Sequence, residues 1–315
     1  MPTHSPRQVE HTITVAAPPD AVYELIADVG NWPRIFPPTI HVDYAQKGEH
    51  DEYIRIWATA NGVAKNWTSR RILQPEQRRI NFQQTVSAPP VASMGGAWLI
   101  EEQPGGGSLV RLLHEYRSVG DDPEGLAWID QAVDRNSRSE LAALKQNVEA
   151  AHAARDLTLS FEDSVHVDGR REDVFAFVNE ANLWSQRLPH VAKVRLEEDE
   201  QGLQTLEMDT VAKDGSTHTT KSYRVTFPYH GIAYKQVTLP ALLTLHTGYW
   251  TFEEHQDGGV TARSQHTVVL DPDAVAGVLG PRATVENALD YVRTALSTNS
   301  LATLRHAKAH AEKVR

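Results

Sequence analysis

The chain contains an internal repeat, and this repeat limits the possible folds more strongly than any other feature of the sequence. Several distinctive residues recur in the same order at a separation of 152 or 153 positions. The matched pairs are Trp32/Trp184, Pro37/Pro189, Ser69/Ser222, Arg71/Arg224, Trp98/Trp250 and His114/His266. Self-similarity at one spacing indicates a duplicated structural unit. We therefore expect one domain at residues 1–153 and a second at 154–315, joined by a linker near Ala151–Leu157.

Each copy has the pattern of one α+β domain. After a first strand, a short amphipathic helix is predicted from the segments PPDAVYELIADV and GRREDVFAFVNE. Short strands and turns follow, including a hairpin whose bend is expected at Pro104–Gly107. Each copy then ends in a long helix with apolar residues at helical spacing, as at Ile129, Val133 and Leu144. The predicted class is a curved antiparallel sheet that wraps around this last helix and leaves a cavity between them.

The composition excludes several classes of function. The chain has no cysteine, so disulfides, thiolate metal sites and cysteine nucleophiles are excluded. Its formal net charge is −10 and it has no Lys/Arg run, which disfavours nucleic acid as a partner. No stretch approaches the roughly 20 apolar residues of a membrane span, and the first residues lack the apolar core of a signal peptide. We therefore expect a cytoplasmic protein that binds neither nucleic acid nor a membrane.

A polar group on one predicted strand is the first candidate for chemistry. In the segment WTSRR, the alternation of side chains along a strand places Trp67, Ser69 and Arg71 on one face. If that face points inward, Arg71 enters the cavity, where its forked donors suit the polarisation of a carbonyl or the stabilisation of an enolate. The alternative is an arginine that lies at the surface or in a salt bridge. The recurrence of the motif as Ser222 and Arg224 favours the functional interpretation.

Histidine and tryptophan supply further candidates. His114 lies on the far arm of the predicted hairpin, and histidine can transfer protons near neutral pH, as enolisation and dehydration require. The alternative is a solvent-facing strand histidine, although the recurrence as His266 favours a role in the pocket. Tryptophans can line a pocket for a planar ligand or pack in the core. The candidates are Trp32, Trp98, Trp184 and Trp250.

Two polar residues interrupt the apolar pattern of the first long helix. Asp134 and Asn136 face either the cavity or the solvent, and an ordinary solvated stripe is slightly favoured. Only the asparagine recurs in the second copy, as Asn299. The sequence has no nucleophile elbow, dinucleotide fingerprint or paired-carboxylate signature. The candidate chemistry therefore depends on the strand and hairpin residues.

Three segments together resemble a known enzyme family. NWPRIFPPTIHVDY, the strand WTSRR and the later GGAWLIEE are similar to the polyketide aromatase/cyclases of bacterial type II polyketide synthases. Because the likeness occurs once per copy, the chain resembles a di-domain member of this family, within the START/Bet v1-like helix-grip superfamily. The resemblance implies an enzyme without cofactor or metal that acts on a poly-β-ketone held on an acyl carrier protein, alongside other synthase components. It implies aldol closure and dehydrative aromatisation of the first ring of a ketoreduced chain, commonly between C7 and C12.

The resemblance also implies roles for individual residues. Arg71 and Ser69 match the pocket arginine and serine of the family, which would hold and polarise a ketone oxygen. His114 would act as acid and base, while aromatic walls would hold the chain bent. These walls are Trp32, Trp67 and Trp98, and the second pocket would contain Ser222, Arg224, Trp250 and His266. We expect the first copy to be the active one, because it keeps Trp67 and Asp134. The alternative is a non-catalytic carrier of a hydrophobic small molecule, since fold does not decide function.

Overall fold

The structure is a computed structural model that describes residues 5–151, 157–211, 215, 217–256 and 258–314. The chain divides into two units, Met1–Arg155 and Asp156–Arg315. The predicted boundary between residues 153 and 154 lies outside the described residues, as does most of the predicted linker. Both therefore stay predictions.

The first unit is a seven-stranded antiparallel sheet with one long helix packed against it. The strands are β1 Arg7–Val15, β2 Thr39–Gln46, β3 Asp51–Ala60, β4 Val63–Gln74, β5 Arg79–Val86, β6 Val91–Glu102 and β7 Ser108–Ser118. The helices are α1 Pro19–Ala27, α2 Trp32–Ile35 and α3 Pro123–Ala151. The strand order is β1-β7-β6-β5-β4-β3-β2, and α3 contacts β1, β3, β6 and β7.

The second unit repeats this arrangement. Its strands are β8 Thr158–Val167, β9 Val191–Glu200, β10 Leu203–Val211, β11 Thr217–Phe227, β12 Gly231–Thr238, β13 Leu243–Glu254 and β14 Val260–Leu270. Its helices are α4 Arg171–Asn179, α5 Trp184–Arg187, α6 Val275–Leu279 and α7 Val285–Val314. The strand order is β8-β14-β13-β12-β11-β10-β9, and α7 packs on β8 and β14. The predicted fold class, two tandem α+β helix-grip domains, is confirmed.

The duplication extends to the cross-strand register. Glu52 of β3 lies opposite Arg71 of β4, and Gln204 of β10 lies opposite Arg224 of β11. The same agreement holds on the hairpins, where His114 lies opposite Gly96 and His266 lies opposite Gly248. Residues 152 or 153 positions apart therefore occupy equivalent places, and the two units can be compared side chain by side chain.

The hairpin between β6 and β7 bends where the sequence predicts. The two strands pair in register up to Glu102 and Ser108, which leaves residues 103–107 for the turn. Gly105 and Gly106 have φ angles of +96° and +86°, a region that glycine reaches without a steric penalty. The glycine run is therefore a turn, and it carries His114 on the returning strand.

The core of the first unit lies between the inner face of the sheet and the helices. Trp98 and Ile100 of β6 and Leu112 of β7 are buried there. Leu144 and Val148 of α3 join the same cluster, as the helical spacing predicts. Burial of one such side chain stabilises the fold by about 1.5–3 kcal/mol. A polar residue on one of these inner faces therefore carries a cost, and it needs a partner or a functional reason.

The long helices α3 and α7 contain 29 and 30 residues. Each presents a buried stripe to its sheet and a polar face to the outside, which is the pattern of an amphipathic helix. Across the described ranges, no helix combines the length and the apolar character needed to cross a membrane.

Candidate active site

The first unit contains a cavity of about 130 Å³ between its sheet and α3. Three indole side chains form much of its wall, those of Trp32, Trp67 and Trp128. The polar side chains that reach it include Thr39, Lys65, Gln84, His114, Asn136, Ser137 and Glu140. The cavity is thus apolar in its walls and carries a small set of polar groups, the usual character of a small-molecule site.

Glu140 is one of several polar groups of this cavity that the sequence patterns did not indicate, and the one most suited to proton transfer. It lies on α3, and burial raises the pKa of its carboxyl group to about 8. The available signal was a gap in the apolar stripe of the helix, since the positions between Val133 and Leu141 that face the sheet are polar. A carboxyl group with a pKa near the working pH can both accept and donate a proton. Glu140 is therefore a candidate acid–base group.

His114 and Asn136 both reach the cavity, although the sequence slightly favours a solvated stripe for Asn136, and their surroundings differ. Burial lowers the pKa of His114 to about 3, so its imidazole is neutral near pH 7. Within the described residues, His114 Nδ1 has no hydrogen-bond partner, and the ring makes an edge contact with Phe82 at 5.4 Å. Asn136 Nδ2 donates a hydrogen bond to the Thr59 carbonyl oxygen at 2.9 Å. His114 is thus open to a ligand, while the Asn136 amide group holds α3 to β3.

Arg71 does face inward, but it lies behind the wall of the cavity. Its side chain is 1% exposed, and Nη1 lies 2.7 Å from Glu52 Oε1 in a buried ion pair. The guanidinium also donates to the carbonyl oxygens of Ile26 and Ala27, at the end of α1. Its centre lies 5.1 Å from the ring centroid of Trp32. Both terminal nitrogens donate to these groups and Arg71 is not among the residues that line this cavity, so its contact with a ketone oxygen stays a prediction.

The other predicted residues divide between the core and the surface. Ser69 is buried at 2% exposure and does not line the described cavity. Trp98 packs in the core, stacked on Phe36 with 5.9 Å between ring centroids. Asp134 is exposed and pairs with Arg138, so of the two alternatives that the sequence leaves open it takes the solvated stripe and not the pocket. Its carboxylate remains ionised and hydrated there, which a small apolar cavity would not permit.

The second unit contains a cavity of similar size, about 130 Å³, at the equivalent place. It brings together all four residues that the sequence predicts for this pocket, Ser222, Arg224, Trp250 and His266. Tyr234 and His246 also line it, and the sequence analysis did not single these out. The strand residues that line the second cavity are therefore more polar than those that line the first.

Arg224 differs from Arg71 in its partners. Gln204 stands where the first unit has Glu52, so the residue directly opposite is an amide, and the nearby carboxylate of Glu198 accepts a hydrogen bond from Gln204. Arg224 Nη2 donates to the Val178 carbonyl oxygen at 2.8 Å, and within the described residues Nη1 has no hydrogen-bond partner. Burial lowers the pKa of Arg224 to about 10, which leaves it charged near neutral pH. The second cavity thus has a cation in its wall that can bind an oxyanion.

Comparison with known proteins identifies the family. Family models described as "Polyketide cyclase / dehydrase and lipid transport" match residues 6–149 and 167–297. The granaticin polyketide synthase bifunctional cyclase/dehydratase of Streptomyces virginiae is 54% identical over 94% of this chain and 97% of its own length. The actinorhodin polyketide synthase bifunctional cyclase/dehydratase of Streptomyces coelicolor is 44% identical over 96% of both chains. The chain belongs to the polyketide cyclase/dehydrase family.

A solved structure extends this assignment to the two-unit arrangement. The crystal structure of BexL, the di-domain aromatase/cyclase from the BE-7585A biosynthetic pathway, superposes with a TM-score of 0.87 at 61% identity. The match covers 97% of this chain and 99% of BexL. The present polyketide cyclase/dehydratase is therefore a di-domain member, and the predicted family and enzyme class are confirmed.

Proposed function

We propose that this polyketide cyclase/dehydratase closes and aromatises the first ring of a ketoreduced poly-β-ketone chain, between C7 and C12. In this proposal the chain arrives on an acyl carrier protein, and other components of a type II polyketide synthase supply it in the cytoplasm. The observation that carries the proposal is the first cavity, where Glu140 and His114 meet three indole side chains. Its walls suit a bent, partly aromatic ligand, and its polar groups suit proton transfer.

Glu140 supports the carbon–carbon bond-forming step. A methylene group between two carbonyls loses a proton readily for a carbon acid, and a carboxylate with a raised pKa is a stronger base than an ordinary one. Because the pKa of Glu140 is about 8, part of the population is ionised near neutral pH. The enolate then attacks a distant carbonyl of the same chain, and the protonated Glu140 returns its proton to the new alkoxide. The proton balance of an aldol closure is thus met by one side chain.

His114 and the tryptophans would direct this reaction. The neutral imidazole of His114 can donate one N–H to the carbonyl under attack, without the cost of a buried cation. Trp32 and Trp67 restrict the chain to bent conformations, which brings the reacting carbons together and sets which ring forms. Arg71 acts here as a positioning residue, because its guanidinium packs on the Trp32 ring and ties it to the end of α1.

A carrier function is the alternative from the same fold. The names of the relatives, which are cyclase/dehydratases, do not favour it. The position of Glu140 also speaks against it, since a carboxyl group in an apolar cavity weakens the binding of a purely hydrophobic cargo. The polar groups of the cavity therefore favour chemistry over transport.

The test is product formation by a reconstituted synthase and ketoreductase with the purified protein added. We expect the wild type to shift the products toward the C7–C12 aromatic ring. Glu140→Gln removes the base and should lower the rate at which the C7–C12 aromatic ring forms by about 100-fold, within the range of general acid–base catalysis. Glu49→Gln, at an exposed position, is the matched control. Ring products that are the same with and without wild-type protein would refute the proposal.

A further inference from the structure

The second unit differs from the first at two positions that share one cavity wall with the repeated histidine. Tyr234 stands where the first unit has Phe82, and His246 stands where it has Met94. The register is the same in both units, since Phe82 and Tyr234 each lie opposite a glycine of the next strand. The first unit thus has the apolar pair Phe82 and Met94 beside its repeated histidine. The second unit has a polar pair at the same places, beside His266.

The three side chains form one hydrogen-bonded cluster. The Tyr234 hydroxyl lies 2.9 Å from His266 Nδ1 and 3.2 Å from His246 Nε2. The two imidazole nitrogens lie 3.1 Å apart. Behind them, His246 Nδ1 lies 2.9 Å from Gln236 Oε1, and His266 Nε2 lies 3.1 Å from the Ser264 hydroxyl. All three side chains of the cluster line the cavity.

The hydrogen positions follow from these contacts. Gln236 Oε1 can only accept, so His246 Nδ1 carries the hydrogen and His246 Nε2 is an acceptor. The Tyr234 hydroxyl can donate to only one of the two nearby nitrogens at a time. In the tautomer that carries the His266 hydrogen on Nε2, facing the Ser264 hydroxyl, one of these two nitrogens is open to accept a further proton, and the Tyr234 hydroxyl hydrogen lies next to it. A proton donor and a proton acceptor thus lie side by side in one wall.

The surroundings keep this cluster neutral. His246 and His266 are 2% and 4% exposed. Burial lowers the pKa of His246 to about 3 and that of His266 to about 4, and it raises the pKa of Tyr234. Arg224 lies in the wall of the same cavity with one donor nitrogen unpartnered. A cation that stabilises an enolate oxygen makes the adjacent C–H more acidic, which compensates for the weak basicity of a buried imidazole.

We propose that Tyr234, His246 and His266 form a second acid–base site, which removes water from the β-hydroxyketone that ring closure produces. This inference rests on the proposed function, because it takes the ring-closed product as its substrate. An imidazole nitrogen takes the proton from the carbon next to the ketone. The electron pair of that C–H bond forms the new C=C bond as the C–O bond breaks. Tyr234 protonates the departing hydroxide, and the imidazolium then returns its proton to the phenolate.

The test uses the residues that the first unit already holds at these positions. Tyr234→Phe and His246→Met, alone and together, are made in the full chain, with the exposed Tyr291→Phe as a control for loss of a phenol hydroxyl. Mass spectrometry of the reconstituted reaction follows the ratio of the ring-closed hydroxyketone to its dehydrated products, whose mass falls by one water for each elimination. We expect the dehydration rate to fall by about 100-fold in each single variant, with ring closure unchanged. Tyr291→Phe should behave as the wild type.

Two results would overturn the inference. The first is a dehydration rate at the wild-type level in the double variant. The second is a parallel loss of ring closure and dehydration, which indicates a structural role for the cluster. If Tyr234→Phe does not fold, His246→Met still tests the inference, because the first unit accommodates methionine at the equivalent position. Failure of the proposed function gives another pattern, because the wild type itself then leaves the ring products unchanged.

Discussion

Replacement of Glu52 with glutamine should destabilise the first unit strongly, because it leaves Arg71 as an unpaired buried cation. The two side chains are 5% and 1% exposed, and their charged atoms lie 2.7 Å apart. At an effective dielectric constant of about 20, two unit charges at that distance attract by about 6 kcal/mol. Part of this attraction offsets the desolvation of both ions. Removal of one partner from such a pair costs about 3–5 kcal/mol, and we expect a loss of stability in this range.

The neighbouring ion pair supplies a matched control. Arg70 and Asp51 lie one residue away on the same two strands, with side chains 43% and 48% exposed. Solvent screens this pair, so Asp51→Asn should change the denaturation midpoint much less than Glu52→Gln does. Urea denaturation of the full chain, followed by tryptophan fluorescence, measures both. Trp32 lies against Arg71 and reports on this region.

A double-mutant cycle separates the ion pair from general damage to the core. Arg71→Met removes the cation, and the double variant Glu52→Gln/Arg71→Met removes both charges. We expect the double variant to lose less stability than the sum of the two single variants, by about 0.5–3 kcal/mol. Additive losses, or an equal effect of Asp51→Asn and Glu52→Gln, would refute the reasoning.

Two further predictions concern residues of α3. Burial raises the pKa of Glu140 to about 8 in the folded protein, from an ordinary value of 4.5, so the folded state binds the extra proton between these pH values. Its contribution to stability is therefore fully present below pH 4.5, and it is lost as the pH rises to about 8, by up to about 1.4 kcal/mol for each pH unit. Glu140→Gln should match the wild type in stability near pH 4 and exceed it at pH 8, and thermal unfolding at both pH values measures this. A stability difference between variant and wild type that becomes smaller as the pH rises would contradict the prediction. Asp134→Asn should leave ring products and their rates unchanged, because Asp134 pairs with Arg138 at the surface, and altered products in the reconstituted synthase would place it back in the site.

The sequence predicts the fold more completely than it predicts the site. Local patterns predict the order of strands and helices. They include the glycine turn, the helical stripe that includes Leu144, and the alternation along WTSRR. The repeat then carries each pattern into the second unit. The same alternation predicts that Ser69 and Arg71 face inward, and both are buried. The alternation along a strand does not show which group each inward side chain contacts.

The site depends on partners that are distant in the chain. Arg71 meets Glu52 because β3 and β4 pair in one register, and a shift of one residue would place the exposed Asp51 opposite a buried cation. Glu140 lines the cavity together with Lys65 and Gln84, strand residues that are distant from it in the chain. Neither contact is visible in a local sequence pattern. The sequence therefore predicts an inward arginine but not the carboxylate that pairs with it.

The sequence by itself determined the duplication, the order of elements and the recurrence of His114 as His266, because these depend on residue identity and spacing along one chain. Only the tertiary structure decided that Arg71 is hydrogen-bonded to a carboxylate, while one terminal nitrogen of Arg224 has no partner among the described residues. Only the tertiary structure also brought Tyr234 and His246 to the second histidine, since they lie on different strands. The physical reason is that a pKa and an open hydrogen-bond donor depend on groups a few ångströms away in space, which cross-strand register and helix packing select.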